Sequence, residues 1–320
     1  MSNLTNYSAQ SSQVCLTSFK TVFIYNWSLL IVGSIGNILS IIIMNRARMR
    51  SNTTSITITT LAIADTLTLI LKCLQTHLKY INAVHYSCYL IEYFVHVCVL
   101  SSIWIIVWMT MERALAVYFP MKINNWPTKI VLIVFFTCTI IVFSLINIHF
   151  LIAYESKPLM PWICSLKPSF IKNAYVRVYY YWVKSLFYSW LPVIFIITTN
   201  IMIILAIYRA SKSRSAFLLN NAIVSRLDAR QPLFKRNERQ LTVMLSLVSM
   251  TFVLVTLPFS INQLYIRFKA QQQMQNCFEK DFNRFVILLA DLNHAINFIL
   301  YCMSGNIHEY LVYFCYFKSK

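Results

Sequence analysis

Long, uninterrupted apolar runs dominate this sequence. Each run approaches or exceeds the roughly 20 residues that a helix needs to cross the hydrocarbon core of a bilayer. The runs are continuous and do not alternate at every second residue, which indicates helices rather than the strands of a membrane barrel. Seven such runs occur along the chain. The pattern therefore predicts an all-α membrane protein built as a seven-transmembrane helical bundle.

The composition agrees with one membrane domain. The chain has 320 residues, of which 58% are hydrophobic and 12% charged, and its mean hydropathy is +0.60. Only three glycines occur, and no linker rich in Ser and Gly or internal repeat marks a second domain. We expect a single domain over 1–320. Its predicted parts are an extracellular tail (1–20), helices over 21–45, 55–76, 86–118, 130–153, 180–208, 237–264 and 283–304, and a cytoplasmic tail (305–320).

Positive charges predict the orientation. Arg46, Arg48 and Arg50 follow the first helix, and a longer basic loop separates the fifth and sixth helices. Because Lys and Arg are enriched in cytoplasmic loops, we expect these loops inside the cell and the N-terminus outside. The opposite face is also basic, which weakens the asymmetry without reversing it. Glycosylation sequons at Asn3 and Asn6 agree with the extracellular N-terminus of a multi-pass plasma-membrane protein.

Two pairs of cysteines fall on the predicted outer face, where an oxidising environment allows disulfides to persist. Cys88 begins the third helix and Cys164 lies between the fourth and fifth, so we expect a bridge between them. Cys15 and Cys277 are a second outer pair, whose bonding the sequence leaves open. Cys315 in the C-terminal tail is either palmitoylated or a free thiol.

Short polar and proline-containing motifs interrupt the apolar runs in a fixed order. They are Gly36-Asn37, Leu61-Ala-Ile-Ala-Asp65, Glu112-Arg113-Ala-Leu-Ala-Val117, Pro192, Phe252 with Pro258, and Asn293 with Asn297-Phe-Ile-Leu-Tyr301. One such match is weak, but the ordered set resembles the rhodopsin-like (class A) G-protein-coupled receptors over essentially the whole chain. The resemblance implies a receptor that transmits the binding of an extracellular ligand to a heterotrimeric G protein.

Asp65 is predicted near the middle of the second helix, where a buried aspartate costs about 2.5–3.5 kcal/mol. It must therefore face the bundle interior and find polar partners. The candidates are Asn37, Ser102, Asn293 and Asn297. In the family that the sequence resembles, this cluster binds a sodium ion that favours the inactive state, and oxygen ligands suit a hard cation. A water-filled polar core without specific ion affinity is the alternative.

A charged pair, Glu112 and Arg113, stands at the inner end of the third helix. A guanidinium at the edge of lipid needs a partner. The resemblance implies that Arg113 is held by its neighbouring acid at rest and released on activation, with Glu238 able to reach it from the sixth helix. Alternatively, Glu238 only offsets nearby arginines at a solvated helix end. The other residues of the expected switch are Phe252, Pro258, Asn297 and Tyr301.

Several positions depart from the pattern of the family. Ala114 stands where tyrosine is usual, Thr256 where tryptophan is usual, and Phe298 where proline is usual. Without a proline at position 298, the seventh helix regains a backbone donor and is expected to be straight. The run Asn297–Gly305 resembles invertebrate neuropeptide receptors, FMRFamide-like and similar. After it, residues 307–317 are expected to form a short amphipathic eighth helix.

The outer half of the bundle indicates the ligand class. The resemblance argues against amines, whose receptors have an aspartate at the position of Val95, and against retinal, whose lysine is replaced by Asp291. Glu92 or Asp291 can pair with a ligand arginine. Lys184 and Lys72 can instead hold a carboxylate, so a peptide and an anionic lipid both stay open. The expected cavity also contains Gln75, Tyr188, Gln263 and Tyr265.

Other functional classes receive little support from the sequence. The net charge of +18 lies in segments that flank the predicted spans, where anionic lipid and a G protein are better partners than nucleic acid. Since no metal-ligand cluster or catalytic pair is evident, neither an enzyme nor a metal centre is expected, and no cofactor except the sodium ion. We expect a neuropeptide receptor. The alternatives are a receptor for a lipid or other small molecule, and a seven-helix transporter or channel. Ligand identity, G-protein class and oligomeric state are not encoded in any readable pattern.

Overall fold

A computed structural model gives the fold of most of the chain. Its backbone is described for residues 2–45, 53–81, 88–118, 129–157, 163–169, 182–220, 231–269 and 277–303. Side chains are described for 20–45, 53–81, 88–118, 129–155, 167–169, 182–209, 241–266, 269 and 278–302. The helices are α1 (Ser2–Met44), α2 (Thr53–Tyr80), α3 (Cys88–Tyr118), α4 (Lys129–Asn147), α5 (His149–Ala153), α6 (Leu191–Asn220), α7 (Gln231–Lys269), α8 (Cys277–Asp291) and α9 (Asn293–Met303). Two strands, β1 (Tyr154–Lys157) and β2 (Ile163–Leu166), follow α5.

Six helical segments of the described chain are long and apolar enough to cross a membrane. They are Lys20–Met44, Thr53–Tyr80, Cys88–Tyr118, Lys129–Ala153, Trp182–Arg209 and Leu241–Ile266. α8 and α9 supply the seventh when they are taken as one bent crossing. Large apolar side chains such as Ile130 and Leu254 are 72% and 68% exposed, which suits a surface that faces lipid. The predicted seven-helix bundle is confirmed.

The seventh span is bent, and the expectation of a straight helix over 283–304 is wrong. α8 and α9 meet at 42° on either side of Leu292. The Leu292 carbonyl accepts backbone hydrogen bonds from Ala295 at 3.0 Å and from Ile296 at 3.2 Å, so a tighter turn interrupts the α-helical ladder. Asp291 and Asn293, buried on either side of that turn, direct polar groups into the bundle. The bend therefore arises without a proline at position 298.

α3 passes through the centre of the bundle. Its Leu100, Ile106 and Met109 are fully buried and share one apolar core with side chains from α2, α6 and α7. At the edge of the bundle, Gly33 lets α1 approach α9. A Cβ at Gly33 would lie 3.0 Å from the Cβ and 3.1 Å from the Cα of Ala295, which is closer than ordinary packing permits.

A two-stranded antiparallel hairpin lies beside the start of α3. In it Ser156 of β1 is paired with Cys164 of β2. Cys88 is disulfide-bonded, and its Sγ atom lies 3.7 Å from the Glu155 carbonyl oxygen. The side chain of Cys164 lies outside the described residues, so the predicted bridge to Cys88 stays a prediction.

The fifth span, Trp182–Arg209, contains a π-helical turn at Leu186–Trp190, two residues before Pro192. Because Pro192 has no N–H group, carbonyls in the preceding turn lose a backbone donor. One of them, the Phe187 carbonyl, accepts a hydrogen bond of 3.0 Å from Trp104 Nε1 on α3. A side chain of the central helix thus satisfies a backbone group that the proline leaves without a partner along its own helix.

Some predictions fall outside the described side chains. They concern Asn3, Asn6, Cys15, Glu238, Cys277 and the C-terminal segment that includes Cys315 and the predicted eighth helix. The backbone of α1 is already helical from Ser2, so the first helix begins within the predicted tail 1–20 and not after it. α7 likewise begins at Gln231, ahead of the predicted start at residue 237.

Candidate functional site: a charged cavity above a polar core

A cavity of about 560 Å³ opens among the spans at the end where α3 begins. Of the residues predicted for a ligand cavity, those that line it are Lys72, Gln75, Glu92, Val95, Lys184, Tyr188, Gln263 and Asp291. Tyr265 does not line it and is 53% exposed, so that prediction is wrong. Two residues along a helix turn the side chain by about 200°, so Gln263 and Tyr265 cannot both point inward.

An ion pair crosses one wall of the cavity. Lys72 Nζ on α2 contacts Asp291 Oδ1 at the end of α8, and both side chains are largely buried. Asp291, one of the two acids expected to pair with a ligand arginine, is therefore already paired with Lys72.

The second acid, Glu92, is also engaged by side chains of the protein. Gln75 Nε2 donates a hydrogen bond of 2.5 Å to Glu92 Oε1. Lys79 Nζ lies 3.6 Å from the same oxygen, and His96 Nε2 lies 3.8 Å from Oε2. A ligand cation would have to displace these groups before it could pair with Glu92.

Positive charge prevails on the described cavity wall. Four of the lining residues are Lys or Arg and only two are acidic, namely Lys72, Lys79, Lys184 and Arg284 against Glu92 and Asp291. Lys184 Nζ stands 6.0 Å from the centroid of the Phe150 ring, in cation–π range. The arrangement favours an anionic group on whatever enters.

Tyr188 fixes one side of the cavity. It belongs to the π-helical turn, and its hydroxyl lies 3.0 Å from both the His96 carbonyl oxygen and Asn147 Oδ1. Ser189 belongs to the same turn, and its hydroxyl is hydrogen-bonded to the hydroxyl of Ser260 on α7. This bond joins the fifth span to α7. The π-helical turn thus holds this wall against three neighbouring helices.

The floor of the cavity reaches a polar core around Asp65. His294 and Asn293 line the cavity, and His294 also contacts Asp65, which is fully buried. The Asp65 carboxylate accepts hydrogen bonds from Ser102 Oγ at 2.5 Å and His294 Nδ1 at 2.6 Å on Oδ1, and from Asn297 Nδ2 at 2.7 Å on Oδ2. Three donors from α3 and α9 therefore satisfy a carboxylate of α2.

Two of the expected partners of Asp65, Asn37 and Asn293, do not contact it. Asn37 Nδ2 donates to the His294 carbonyl oxygen at 3.3 Å, which ties α1 to α9. Asn293 is buried near the bend, and within the described part of the chain its Nδ2 has no hydrogen-bond partner. The prediction that Ser102 and Asn297 contact Asp65 is confirmed, whereas direct contacts from Asn37 and Asn293 are not present.

At the opposite end of α3, the Glu112 carboxylate is held by α2. Thr53 and Thr54 donate to Oε1 at 2.8 and 3.4 Å, and Thr57 donates to Oε2 at 3.3 Å. Arg113 Nη2 lies 3.9 Å from Glu112 Oε1, and both residues are buried. Since Thr53 begins α2, the positive end of that helix dipole also favours the carboxylate. Glu238, the other expected partner of Arg113, lies outside the described side chains.

Comparison with known families decides what kind of bundle this is. Residues 36–301 match the model of the 7 transmembrane receptor (rhodopsin family). The chain belongs to that family. The comparison with curated proteins found no match. As a rhodopsin-family receptor, the chain is a multi-pass membrane protein of the plasma membrane. The family match favours a receptor over the transporter or channel alternative.

Two features of this rhodopsin-family receptor were not predicted from its sequence. His294 was not among the predicted partners of Asp65, although it follows Asn293 and precedes Asn297 by three residues, a spacing that places His294 and Asn297 on one helical face. The threonine group at the start of α2 was also missed. Three threonines within five residues at a helix start could have indicated a site for a carboxylate.

Proposed function

We propose that this receptor binds a peptide in the cavity and activates a heterotrimeric G protein at the Arg113 end. One observation supports the proposal. The same rhodopsin-family bundle has a charged cavity at the start of α3 and a buried Glu112–Arg113 pair at the other end of α3. The proposal places the cavity and the N-terminus outside the cell. The basic loops after α1 and between α6 and α7 then face the cytoplasm.

The charges of the cavity refine the ligand. Glu92 and Asp291 already have cationic partners within the protein, and Lys184 adds a further positive charge to the wall. We infer a peptide that presents a carboxylate, from an acidic side chain or its C-terminus, toward Lys184. This favours an acidic peptide over one whose main anchor is an arginine. The aromatic and amide side chains that share the wall suit the remainder of a peptide.

Activation requires the Arg113 end to open. Arg113 is buried beside Glu112, and Pro258 removes a backbone hydrogen bond inside α7, which allows the two halves of that helix to move separately. The family resemblance implies that outward movement of the sixth span exposes the docking site for the G protein. A ligand that binds the open form better shifts the resting population toward it.

Expression of the full chain in cells, followed by a screen of peptides for calcium and cAMP responses, tests the function. Each peptide is offered both as the free acid and as the C-terminal amide. An acidic peptide that activates supports the proposal, whereas activation only by an amidated arginine peptide or by an anionic lipid contradicts the inferred ligand class. Failure of every ligand together with no basal signal would count against receptor function.

Arg113→Ala separates coupling from binding. Nucleotide exchange on the G protein is expected to be lost, while binding of the active peptide stays within a few-fold of wild type. Normal exchange in this variant would contradict the role assigned to Arg113.

Lys184→Gln tests the carboxylate contact. A charge-assisted hydrogen bond contributes about 1.5–3 kcal/mol, so affinity for the acidic peptide should fall about 10- to 150-fold, and affinity for its neutral analogue should not. Lys129→Gln is the matched control, because Lys129 is an exposed residue of α4 outside the cavity. An equal loss for both peptides would argue that Lys184 only shapes the site.

The orientation and covalent features are proposals as well. Glycosidase treatment should increase the gel mobility of the expressed protein, and Asn3→Gln with Asn6→Gln should abolish that shift. Cys88→Ser should release a new thiol at Cys164 that a membrane-impermeant reagent labels from outside. Labelling from the cytoplasmic side alone would reverse the proposed orientation.

A further inference from the structure

Asp65 is the residue at which the family resemblance implies a sodium ion, and its surroundings decide whether the ion fits. The carboxylate is fully buried, and both of its oxygens are engaged by the protein. Oδ1 is approached by Ser102 Oγ at 2.5 Å and by His294 Nδ1 at 2.6 Å. Ser102 Oγ and His294 Nδ1 are themselves 3.4 Å apart, so the three atoms form a closed triangle.

A hard cation needs several oxygen ligands around it. Around Asp65 the approaching groups are largely nitrogen donors. Asn297 turns its Nδ2, and not its Oδ1, toward the carboxylate, and His294 presents Nδ1. Because a carboxylate only accepts hydrogen bonds, Nδ1 carries a hydrogen in this contact whether the ring is neutral or protonated. These N–H groups occupy the carboxylate oxygens through which Asp65 would otherwise bind a cation.

The imidazole is held firmly against Asp65. His294 is buried, with only 3% of its surface exposed, at the start of α9 just after the bend. Its carbonyl oxygen accepts a hydrogen bond from Asn37 Nδ2 on α1, so its backbone cannot rotate away without losing a buried contact. The neighbouring turn at Leu292 fixes the direction in which the ring leaves the helix.

We propose that the His294 side chain replaces the sodium ion in this receptor, so that Asp65 is satisfied by the protein itself. Na⁺ then neither stabilises the resting form nor lowers basal signalling. The residues present do not fit the ion that the resemblance implies. The proposal is independent of the ligand in the cavity above, and it holds whether or not that ligand is a peptide.

Thermal unfolding of the purified full-length receptor tests the proposal without a ligand. The probe is sodium chloride, compared with equimolar choline chloride and potassium chloride, and buried thiols such as Cys73 report unfolding through a thiol-reactive dye. The wild-type midpoint is expected to be the same in all three salts. A midpoint that rises selectively in Na⁺, and no longer does so in Asp65→Asn, would overturn the proposal.

His294→Ser supplies the gain-of-function variant. It replaces the nitrogen donor by a hydroxyl oxygen and opens space beside Asp65, so Na⁺ should raise its midpoint by about 2–4 °C over choline. Asp65→Asn in the same background should remove that rise. His149→Ser is the matched control, since His149 is a second histidine in a membrane span whose Nδ1 contacts the Ile146 carbonyl oxygen away from Asp65, and it should gain no response. If His294→Ser folds but stays insensitive to Na⁺, the imidazole is not what excludes the ion. If it does not fold, the wild-type comparison alone decides.

Discussion

Lys72 of α2 and Asp291 at the end of α8 form an ion pair inside the cavity, with 18% and 10% of their side chains exposed. Removal of one partner leaves the other charge buried, which is more costly than the loss of both. We expect Lys72→Met to lower the free energy of unfolding by about 3 kcal/mol, and Lys72→Met with Asp291→Asn to recover most of it. Thermal midpoints of the purified protein measure both.

The chain offers a matched control for that experiment. Arg284 and Asp281 also form an ion pair, at 3.2 Å, but their side chains are 38% and 36% exposed. Asp281→Asn should therefore change stability by less than about 1 kcal/mol. Equal effects of Lys72→Met and Asp281→Asn would show that the cavity pair is no more than a surface contact.

The threonine group at the start of α2 should restrain basal signalling. Thr53 and Thr57 donate to the Glu112 carboxylate, and without them that carboxylate is held less firmly beside Arg113. We expect Thr53→Ala with Thr57→Val to raise ligand-independent nucleotide exchange about two- to tenfold, the equivalent of one ordinary hydrogen bond. Exchange of labelled nucleotide on the G protein in membranes measures this.

Thr60→Val is the control for the threonine group. Its hydroxyl donates at 2.9 Å to the Ile56 carbonyl of the same helix and does not contact Glu112. Basal exchange in Thr60→Val should equal that of wild type. An equal rise in both proteins would mean that α2 is generally loosened, and that Glu112 is not the group concerned.

A hydrogen bond between the fifth and sixth spans should also favour the resting form. Asn200 Nδ2 donates to Ser249 Oγ at 2.9 Å, and both residues are buried. Hydrogen bonds between membrane helices contribute about 0.6 kcal/mol on average, so Ser249→Ala should raise basal exchange about threefold. Thr251→Ala removes an exposed hydroxyl that bonds only within α7, and it should have no effect. A fall in basal exchange for Ser249→Ala would instead assign this bond to the active form.

Close contact between α1 and α9 depends on Gly33. A branched side chain there would collide with the backbone of Ala295, so we expect Gly33→Val to lower the free energy of unfolding by about 1–3 kcal/mol. Ile35→Val, at a side chain that is 57% exposed toward lipid, should stay within about 0.5 kcal/mol. Thermal midpoints compare the two variants, and similar midpoints would contradict the packing argument.

The sequence predicted those parts that depend on hydrophobicity or on a buried charge. Continuous apolar runs located the seven spans, and the cost of Asp65 in lipid predicted its burial among polar partners. Of the four predicted partners, Ser102 and Asn297 contact Asp65, and Asn37 and Asn293 do not. Helical spacing could have excluded Tyr265 from the cavity. The pattern of apolar residues was sufficient for the spans and for Tyr265, because each depends on the periodicity of a single helix. The burial of Asp65 followed from the free-energy cost of placing a carboxylate in lipid.

The remaining features depend on contacts between distant segments. The bend at Leu292 reflects backbone groups and buried polar side chains that no proline signals, and the contact of His294 with Asp65 joins residues 229 positions apart. The pairing of Lys72 with Asp291 likewise depends on how the last turn of α8 is oriented toward α2. Such choices among several polar groups are decided by tertiary geometry and not by local pattern.

The bend of the seventh span has a mechanical consequence. α2 is one continuous helix, and it is fastened to α8 above the bend through Lys72 and to α9 below it through Asp65. These two attachments therefore oppose a change in the bend angle. A ligand that draws Lys72 away from Asp291 would break the ion pair between α2 and α8. α8 and α9 could then change their relative angle while α9 stays bound to Asp65.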